Sequence, residues 1–202
     1  METKLSLGNY CSHNCMYCYM DSNTEENFIH HKDIAYEDYK GQIVVLTGGN
    51  PLVHPKLIEI LSNFKKLNIE CKIEVYQHDI QDNNANLQML KFLVKLKLVS
   101  EIYISIGYLV QRFIKVLEGL PIVFVGVVGL FRNSDYVQLK GKKIRLKLVG
   151  FISQGRGKDW IKKNEFGWNF NLEWLKENFM IIAPSFEEII LDDLAKQQLE
   201  IS

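Results

Sequence analysis

The stretch QIVVLTGGNPLVHPKLIEILSNFKKL, residues 42–67, decides the fold class of this chain. It opens with residues 43–46, a run that is apolar on both faces, as parallel strands covered by helices are. A glycine pair follows. Pro55 then begins a segment in which apolar residues recur every three or four positions, as they do in an amphipathic helix. A buried strand that turns into a helix is one β/α unit.

Similar units recur along most of the chain. Strands are predicted at residues 4–9, 42–47, 70–77, 101–106, 121–128 and 143–152. Helices are predicted from Pro55 and at residues 86–97 and 109–117. This alternation implies an α/β fold with a mainly parallel sheet. A complete eightfold barrel takes ~250 residues, so six units predict a partial, open (β/α)6 barrel, with a doubly wound sheet as the alternative.

We expect a single domain over residues 1–202, because no repeat or proline-rich linker divides the chain. Its core is predicted at about 4–152. The remainder, 153–202, is expected to hold a closing loop at 155–167 and helices at 172–179 and 186–199.

The composition excludes several functional classes. Apolar residues make up 47% of the chain, and 24 basic residues balance 24 acidic ones, so no net field attracts polyanions and nucleic acid is not indicated. The longest apolar stretch, residues 120–131, falls short of the ~20 residues that a membrane span needs. The N-terminus lacks the pattern of a secretory signal, so we expect a cytoplasmic protein without a membrane partner.

Three of the four cysteines, Cys11, Cys15 and Cys18, form a C-x3-C-x2-C run directly after the first predicted strand. In a reducing compartment such clustering favours a metal or redox function over disulfides. Three thiolates on a four-iron cluster leave one iron open, whereas a closed electron-transfer cluster needs a fourth. The alternative is a zinc site built on Cys15 and Cys18, for which the candidate further ligands are Cys11, His13, His30, His31 and Cys71. Cys71 by itself is typical of a buried small residue.

The cysteine run resembles the defining motif of the radical SAM superfamily, in which an aromatic residue, here Tyr17, precedes the last cysteine. Leu46-Thr-Gly-Gly-Asn-Pro51 looks like the family's Gly-Gly-Glu-Pro element, which binds the methionyl amino end of S-adenosylmethionine. Asn50 stands where the family usually has glutamate. Ile104-Ser-Ile-Gly107 is similar to the strand whose serine touches the cofactor's ribose and carboxylate. The resemblance covers roughly residues 4–152.

This resemblance implies a 4Fe-4S cluster held by Cys11, Cys15 and Cys18. It also implies S-adenosylmethionine bound by Tyr17, Gly48, Gly49, Asn50 and Ser105. One-electron reduction by a donor such as flavodoxin or ferredoxin would cleave the cofactor. The resulting 5′-deoxyadenosyl radical would abstract hydrogen from an unidentified small-molecule, peptide or protein substrate, which would make the protein an oxidoreductase.

Two alternatives stay open at this point. One is a non-enzymatic α/β protein that carries zinc or an electron-transfer iron-sulfur cluster. The other, suggested by Asn50, is a degenerate member that keeps the cluster but cleaves S-adenosylmethionine poorly. On the family interpretation, Asn50→Glu should leave turnover intact or raise it.

Several other residues are candidates of lower specificity. Gln77 and His78 follow the third strand and should stand near the mouth of the barrel. Arg145 and Lys147 alternate with apolar residues, which is typical of an edge strand with one wet face. Arg156, between two glycines, either reaches over the site or lies in a solvated turn. An aromatic group in the C-terminal part either packs the closing helices or contacts a macromolecular substrate: Trp160, Phe166, Trp168, Phe170 and Trp174.

Overall fold

The strands in the described part of the chain form one seven-stranded sheet. A computed structural model describes residues 1–13, 15–106, 111–130 and 144–200. The strands are β1 (Glu2–Ser6), β2 (Ile43–Thr47), β3 (Glu70–Tyr76), β4 (Glu101–Ser105), β5 (Ile122–Val127), β6 (Arg145–Val149) and β7 (Glu188–Leu191). Their order in the sheet is their order in the chain. The pairs β1–β2, β2–β3, β5–β6 and β6–β7 are parallel.

Within the described ranges, α-helices connect β2 to β3, β3 to β4, β4 to β5 and β6 to β7, as parallel crossovers commonly do. The helices are α1 (Leu57–Lys66), α2 (Gln77–Gln81), α3 (Asn84–Lys95), α4 (Gln111–Val116), α5 (Arg156–Lys163), α6 (Glu165–Ile182) and α7 (Asp193–Leu199). The buried residues of α1, Leu57, Ile60, Leu61 and Phe64, recur every three or four positions, as the sequence predicts. Two lysines occupy the last turn, where their positive charge interacts favourably with the negative end of the helix dipole. Part of the predicted 109–117 helix and Gly107 lie outside the described residues. None of the described helices combines the length and hydropathy of a membrane span.

The chain divides into two compact units. The first comprises Met1–Cys15, Met20–Ile104 and Gly119–Pro121, and the second comprises Met16–Tyr19, Ser105–Glu118 and Ile122–Ser202. Strands β1 to β3 and nearly all of β4 belong to the first unit, and β5 to β7 belong to the second. The single domain expected from the sequence stays a prediction.

The last strand corrects two expectations. Residues 186–199 were predicted as one helix, but β7 precedes α7 and pairs in parallel with β6. Its β-branched pair, Ile189 and Ile190, favours a strand, and Asp192 caps α7 by accepting a hydrogen bond from the backbone N–H of Ala195 at 2.7 Å. Because β6 pairs with β7, β6 is not an edge strand. Arg145 on β6 pairs with Glu188 on β7, with 2.7 Å between Nε and Oε2.

The segment 155–167 is also not the loop that its Gly, Lys and Asn content indicated. Gly155, with φ of 51°, leads directly into α5, and α6 begins at Glu165. Lysine is a good helix former, so a lysine-rich polar segment is compatible with a helix.

The packing predicted for the aromatic group fails for Phe166 and Phe170, whose side chains are largely exposed on α6.

An ion cluster around the buried Lys72 lies near the amino ends of β1, β3 and β4. Lys72 Nζ is 2.7 Å from Glu2 Oε1 and 2.7 Å from Glu101 Oε2, and it donates to the Tyr103 hydroxyl at 3.1 Å. Burial alone would lower the pKa of Lys72, but the hydrogen bonds to these partners outweigh it and hold the pKa above its usual value. In folds of this class the amino ends of the strands serve stability, and ligands bind at the opposite, carboxyl ends.

Candidate functional site

The cysteine loop comprises residues 11–19, with 11–15 as its first half. The segment that leads into it, residues 7–10, is held against the carboxyl end of β2. Leu7 N–H donates to Thr47 O at 2.8 Å, which extends the β1–β2 pairing by one step. Beyond the strands, Gly49 N–H donates to Gly8 O at 3.0 Å and Asn50 N–H donates to Tyr10 O at 2.7 Å. Gly48-Gly49-Asn50, here called the glycine element, therefore fixes the backbone that leads into Cys11.

The glycine pair is needed because two backbone segments meet there. Gly48 has φ of 132°, and a Cβ on it would lie 2.5 Å from Gly8 O. A Cβ on Gly49 would overlap the carbonyl group of Tyr10. The absence of a Cβ at both positions therefore lets the backbone of residues 8–10 approach the glycine pair. Cofactor binding by Gly48 and Gly49 stays a prediction.

The Asn50 side chain is buried, with 6% of its surface exposed, and both of its polar atoms are engaged. Oδ1 accepts a hydrogen bond from the backbone N–H of Leu52 at 3.0 Å and so caps the 3-10 turn Pro51–Val53. Nδ2 donates to Oδ1 of Asp79 at 2.7 Å. Asn50, which stands where the motif it resembles usually has glutamate, thus bonds to a carboxylate that a different element supplies.

Asp79 lies on α2, directly after β3, and only 3% of its surface is exposed. Its Oδ1 also lies 3.0 Å from Nε2 of His13, the middle residue of the cysteine loop's first half. Burial raises the pKa of Asp79, while the His13 ring, the Tyr76 N–H and His78 act in the opposite direction. The sequence alone indicates no role for Asp79 and only a possible zinc ligand in His13, because their contact joins residues 66 positions apart.

The donor chemistry of the first half fits an iron-sulfur cluster. Cys11 is buried, with 7% exposure, and Cys15 is half-buried. The backbone N–H of His13 donates to Cys11 Sγ at 3.4 Å, the kind of hydrogen bond to sulfur that tunes such clusters. Within the described ranges, however, no three His, Cys, Asp or Glu side chains are grouped to hold a metal ion. The ligand set Cys11, Cys15 and Cys18 accordingly stays a prediction.

The second half of the loop, Met16–Tyr19, is packed in the second unit. Arg156 N–H donates to Cys18 O at 3.1 Å, so the start of α5 holds the loop backbone at this cysteine. Gly157 is required here, since a Cβ would lie 2.9 Å from Ile152 O. The Tyr17 ring meets the Trp160 ring edge to face, with centroids 6.4 Å apart. Packing is therefore confirmed for Trp160, and cofactor contact by Tyr17 stays a prediction.

The remaining candidates lie at strand ends or inside strands. Ser105 is half-buried at the last position of β4. Gln77 is fully buried, and within the described chain neither its Oε1 nor its Nε2 has a hydrogen-bond partner. Cys71 is buried within β3, as expected, and burial raises its pKa to about 12. It is therefore an unreactive thiol at neutral pH.

Comparison with known proteins identifies structural neighbours but no sequence relatives. No family model matches the sequence, and no curated protein matches it. The fold is similar to Streptococcus suis SuiB bound to the precursor peptide SuiA, with a TM-score of 0.64 and 16% identity over 99% of this chain and 51% of that chain. It is also similar to SuiB bound to S-adenosylmethionine, with a TM-score of 0.62 and 15% identity over 95% of this chain and 50% of that chain.

At these identities the similarity establishes the fold. The α/β partial barrel with mainly parallel strands that the sequence predicts is confirmed. The chain spans about half the length of the SuiB chains that it matches.

Proposed function

We propose that this protein is a radical SAM enzyme. In this proposal Cys11, Cys15 and Cys18 hold a 4Fe-4S cluster, and the Gly48-Gly49-Asn50 element binds S-adenosylmethionine together with Tyr17 and Ser105. The observation that carries the proposal is the coincidence of a C-x3-C-x2-C run directly after β1 with a fold similar to that of a structure bound to S-adenosylmethionine.

The described residues contribute positioning in this proposal. The glycine element and the start of α5 each hold the backbone of one half of the cysteine loop, through Asn50 N–H to Tyr10 O and Arg156 N–H to Cys18 O. A loop fixed by backbone hydrogen bonds keeps its thiols near the carboxyl ends of the strands, where ligands bind in folds of this class. The bound cluster and cofactor would supply reductive cleavage of the sulfonium and hydrogen abstraction from the substrate.

The test is anaerobic reconstitution with iron and sulfide, followed by addition of dithionite and S-adenosylmethionine and measurement of 5′-deoxyadenosine. We expect product from the wild-type protein and loss of both product and iron in Cys11→Ala, Cys15→Ala and Cys18→Ala. Cys71→Ala is the matched control, because Cys71 is a buried strand residue, and it should retain iron and product.

Two results would contradict the proposal. Bound zinc in place of iron in freshly isolated protein would favour the non-enzymatic metal-binding alternative. Full iron content in any of the three loop variants would remove that cysteine from the ligand set.

A peptide is the substrate class that we propose. The support is that one SuiB structure of similar fold is bound to a precursor peptide. Flavodoxin or ferredoxin is proposed as the electron donor and the cytoplasm as the location, both from the family resemblance and the sequence. Formation of 5′-deoxyadenosine in excess over uncoupled turnover when candidate peptides are added would support this class.

One observation favours a second candidate, a degenerate member that keeps the cluster but cleaves S-adenosylmethionine poorly. Both polar atoms of Asn50 are engaged by Leu52 and Asp79, so its side chain offers little to a ligand. A protein that holds about four irons per chain and yields no 5′-deoxyadenosine would fit this candidate.

A further inference from the structure

The buried carboxylate of Asp79 joins three segments that lie far apart in the sequence. Oδ1 accepts from Asn50 Nδ2 at 2.7 Å and lies 3.0 Å from His13 Nε2. Oδ2 accepts the backbone N–H of Tyr76 at 3.1 Å, at the end of β3. The cysteine loop, the glycine element and the third strand therefore meet on one carboxyl group.

The element that carries Asp79 is itself held in place. The Asp79 side chain bonds back to the N–H of Tyr76, the N-cap residue, and so caps the start of α2. The Asp79 carbonyl accepts a hydrogen bond from Asn86 Nδ2 at 2.7 Å, and Asn86 is a buried residue of α3. A carboxylate fixed at both its side chain and its backbone is a rigid anchor for whatever bonds to it.

His13 is the partner that lies on the cysteine loop, between Cys11 and Cys15, whereas Asn50 and Tyr76 lie near strand ends. Backbone bonds from the glycine element hold the chain as far as Tyr10, and the backbone N–H of Cys11 donates to Asn23 O at 2.6 Å. Beyond Cys11, the His13–Asp79 contact ties the loop to α2, and the rings of Tyr76 and His78 pack beside it, with centroids 5.4 and 5.9 Å from that of His13.

We propose that Asp79 is a positioning residue that pins the cysteine loop to the sheet through His13 and keeps Cys11 in its buried position. Asp79 acts through the His13 ring and the loop that carries it. The relevance of this pin to cluster assembly rests on the proposed function, but the pin itself is a property of the metal-free protein.

The first test therefore uses the protein without metal. Iodoacetamide is added at pH 8 under reducing conditions, and the labelling rate of each cysteine is measured by mass spectrometry. Losing a buried charged hydrogen bond lowers the free energy of local opening, so Asp79→Asn should label Cys11 roughly tenfold faster than wild type. His13→Phe keeps an aromatic ring beside Tyr76 and removes only the hydrogen bond, and it should give a similar increase.

Two internal controls separate local from global effects. Cys71 lies in β3 and should label at the wild-type rate in both variants. Asp82→Asn changes an exposed carboxylate one turn further along, which pairs only with His78 among the described ion pairs, and should leave Cys11 unchanged. The double variant Asp79→Asn/His13→Phe should not exceed the larger single effect, because both changes break one contact.

Wild-type labelling of Cys11 in His13→Phe would overturn the proposal. So would parallel acceleration of Cys11 and Cys71 in both variants, since that pattern indicates general destabilisation.

The second test measures iron after anaerobic reconstitution and the EPR spectrum of the reduced protein. We expect lower iron content or an altered spectrum in Asp79→Asn and His13→Phe, and wild-type behaviour in Asp82→Asn. Wild-type iron content and an unchanged spectrum in both variants would overturn the role of the pin in cluster assembly. Failure of the wild-type protein to bind iron would instead contradict the proposed function, and the labelling experiment would still decide the role of Asp79.

Discussion

Asn50 differs from the glutamate of the motif it resembles by a single functional group, and its surroundings decide what that difference means. From the sequence alone, restoring the glutamate should be harmless or beneficial. In the structure Asn50 Nδ2 lies 2.7 Å from a carboxylate oxygen that is itself buried. A carboxylate at residue 79 therefore already faces residue 50, and a glutamate at residue 50 would place a second carboxylate against it.

We now expect Asn50→Glu to destabilise the protein by roughly 2–3 kcal/mol, because it replaces a donor by a second buried acceptor. Urea denaturation measures this loss. Asn84→Glu, an exposed change in the first turn of α3, should cost nothing, since acidic residues favour a helix N-terminus. Adding Asp79→Asn to Asn50→Glu should recover much of the loss, and an Asn50→Glu protein of wild-type stability would refute this account.

Gly49 and Gly167 test whether a glycine is needed for space or is merely tolerated. A Cβ at Gly49 would overlap the Tyr10 carbonyl, so Gly49→Ala should cost roughly 3 kcal/mol or more. A Cβ at Gly167 meets no atom within 4 Å, and Gly167 lies in α6, so Gly167→Ala should stabilise by about 1 kcal/mol. Thermal unfolding distinguishes the two, and equal midpoints would contradict the backbone contact at Gly49.

At the scale of elements, strands β1, β3 and β4 are linked by the Lys72 cluster at one end, and the loops are pinned by Asp79 and the glycine element at the other. The two ends use charge differently. The charge of Lys72 is balanced by Glu2 and Glu101 within the sheet, so this cluster stabilises the fold. Asp79 instead reaches outward to a loop, which places its effect on the candidate site.

Lys72→Met should cost about 3 kcal/mol, because two carboxylates and the Tyr103 hydroxyl lose the cation between them. Chemical denaturation provides the measurement. Lys4→Met is the matched control, since its pair with Glu74 is largely exposed on the lysine side and should be worth no more than about 0.5 kcal/mol. Removing both carboxylates together with the lysine, by Glu2→Gln and Glu101→Gln, should restore most of the stability; a persistent loss would mean that packing dominates.

At the scale of the whole molecule, the balance of 24 basic and 24 acidic residues leaves stability to be set by individual buried groups rather than by net charge. Three such groups are described on β3 and β4. Burial raises the pKa of Cys71 to about 12, the pKa of Tyr103 lies above its usual value mainly through burial, and the pKa of Lys72 is raised by its hydrogen bonds.

These groups predict a loss of stability at alkaline pH. Each keeps its proton to a higher pH in the folded state than in the unfolded chain, so unfolding releases protons and stability falls as pH rises above about 9. The Cys71 contribution is about 1.4 kcal/mol per pH unit between its unfolded and folded pKa values. Urea denaturation at pH 8 and pH 10 measures the slope. Cys71→Ala should flatten it, and an unchanged slope would show that Cys71 does not titrate in this range.

The sequence by itself determined the features that depend on local pattern. Apolar strand runs, helical periodicity and chain order were enough for the α/β class, for parallel pairing and for six of the described strands, because each signal is complete within ten or twelve residues. The C-x3-C-x2-C run and the glycine pair were also readable, since both are contiguous motifs. The short strand β7 was missed because four residues next to a helix carry little periodic signal.

Only the tertiary structure decided how the motifs are used. The sequence gives no sign that Gly48 and Gly49 accommodate the backbone of Gly8 and Tyr10, or that Asp79 lies behind Asn50, because these contacts join residues about 30 to 40 positions apart or more. Hydrogen bonds at 2.7 Å between distant segments arise only after the sheet has aligned the carboxyl ends of its strands. The sequence determines which chemical groups are present, and the fold determines which of them contact one another.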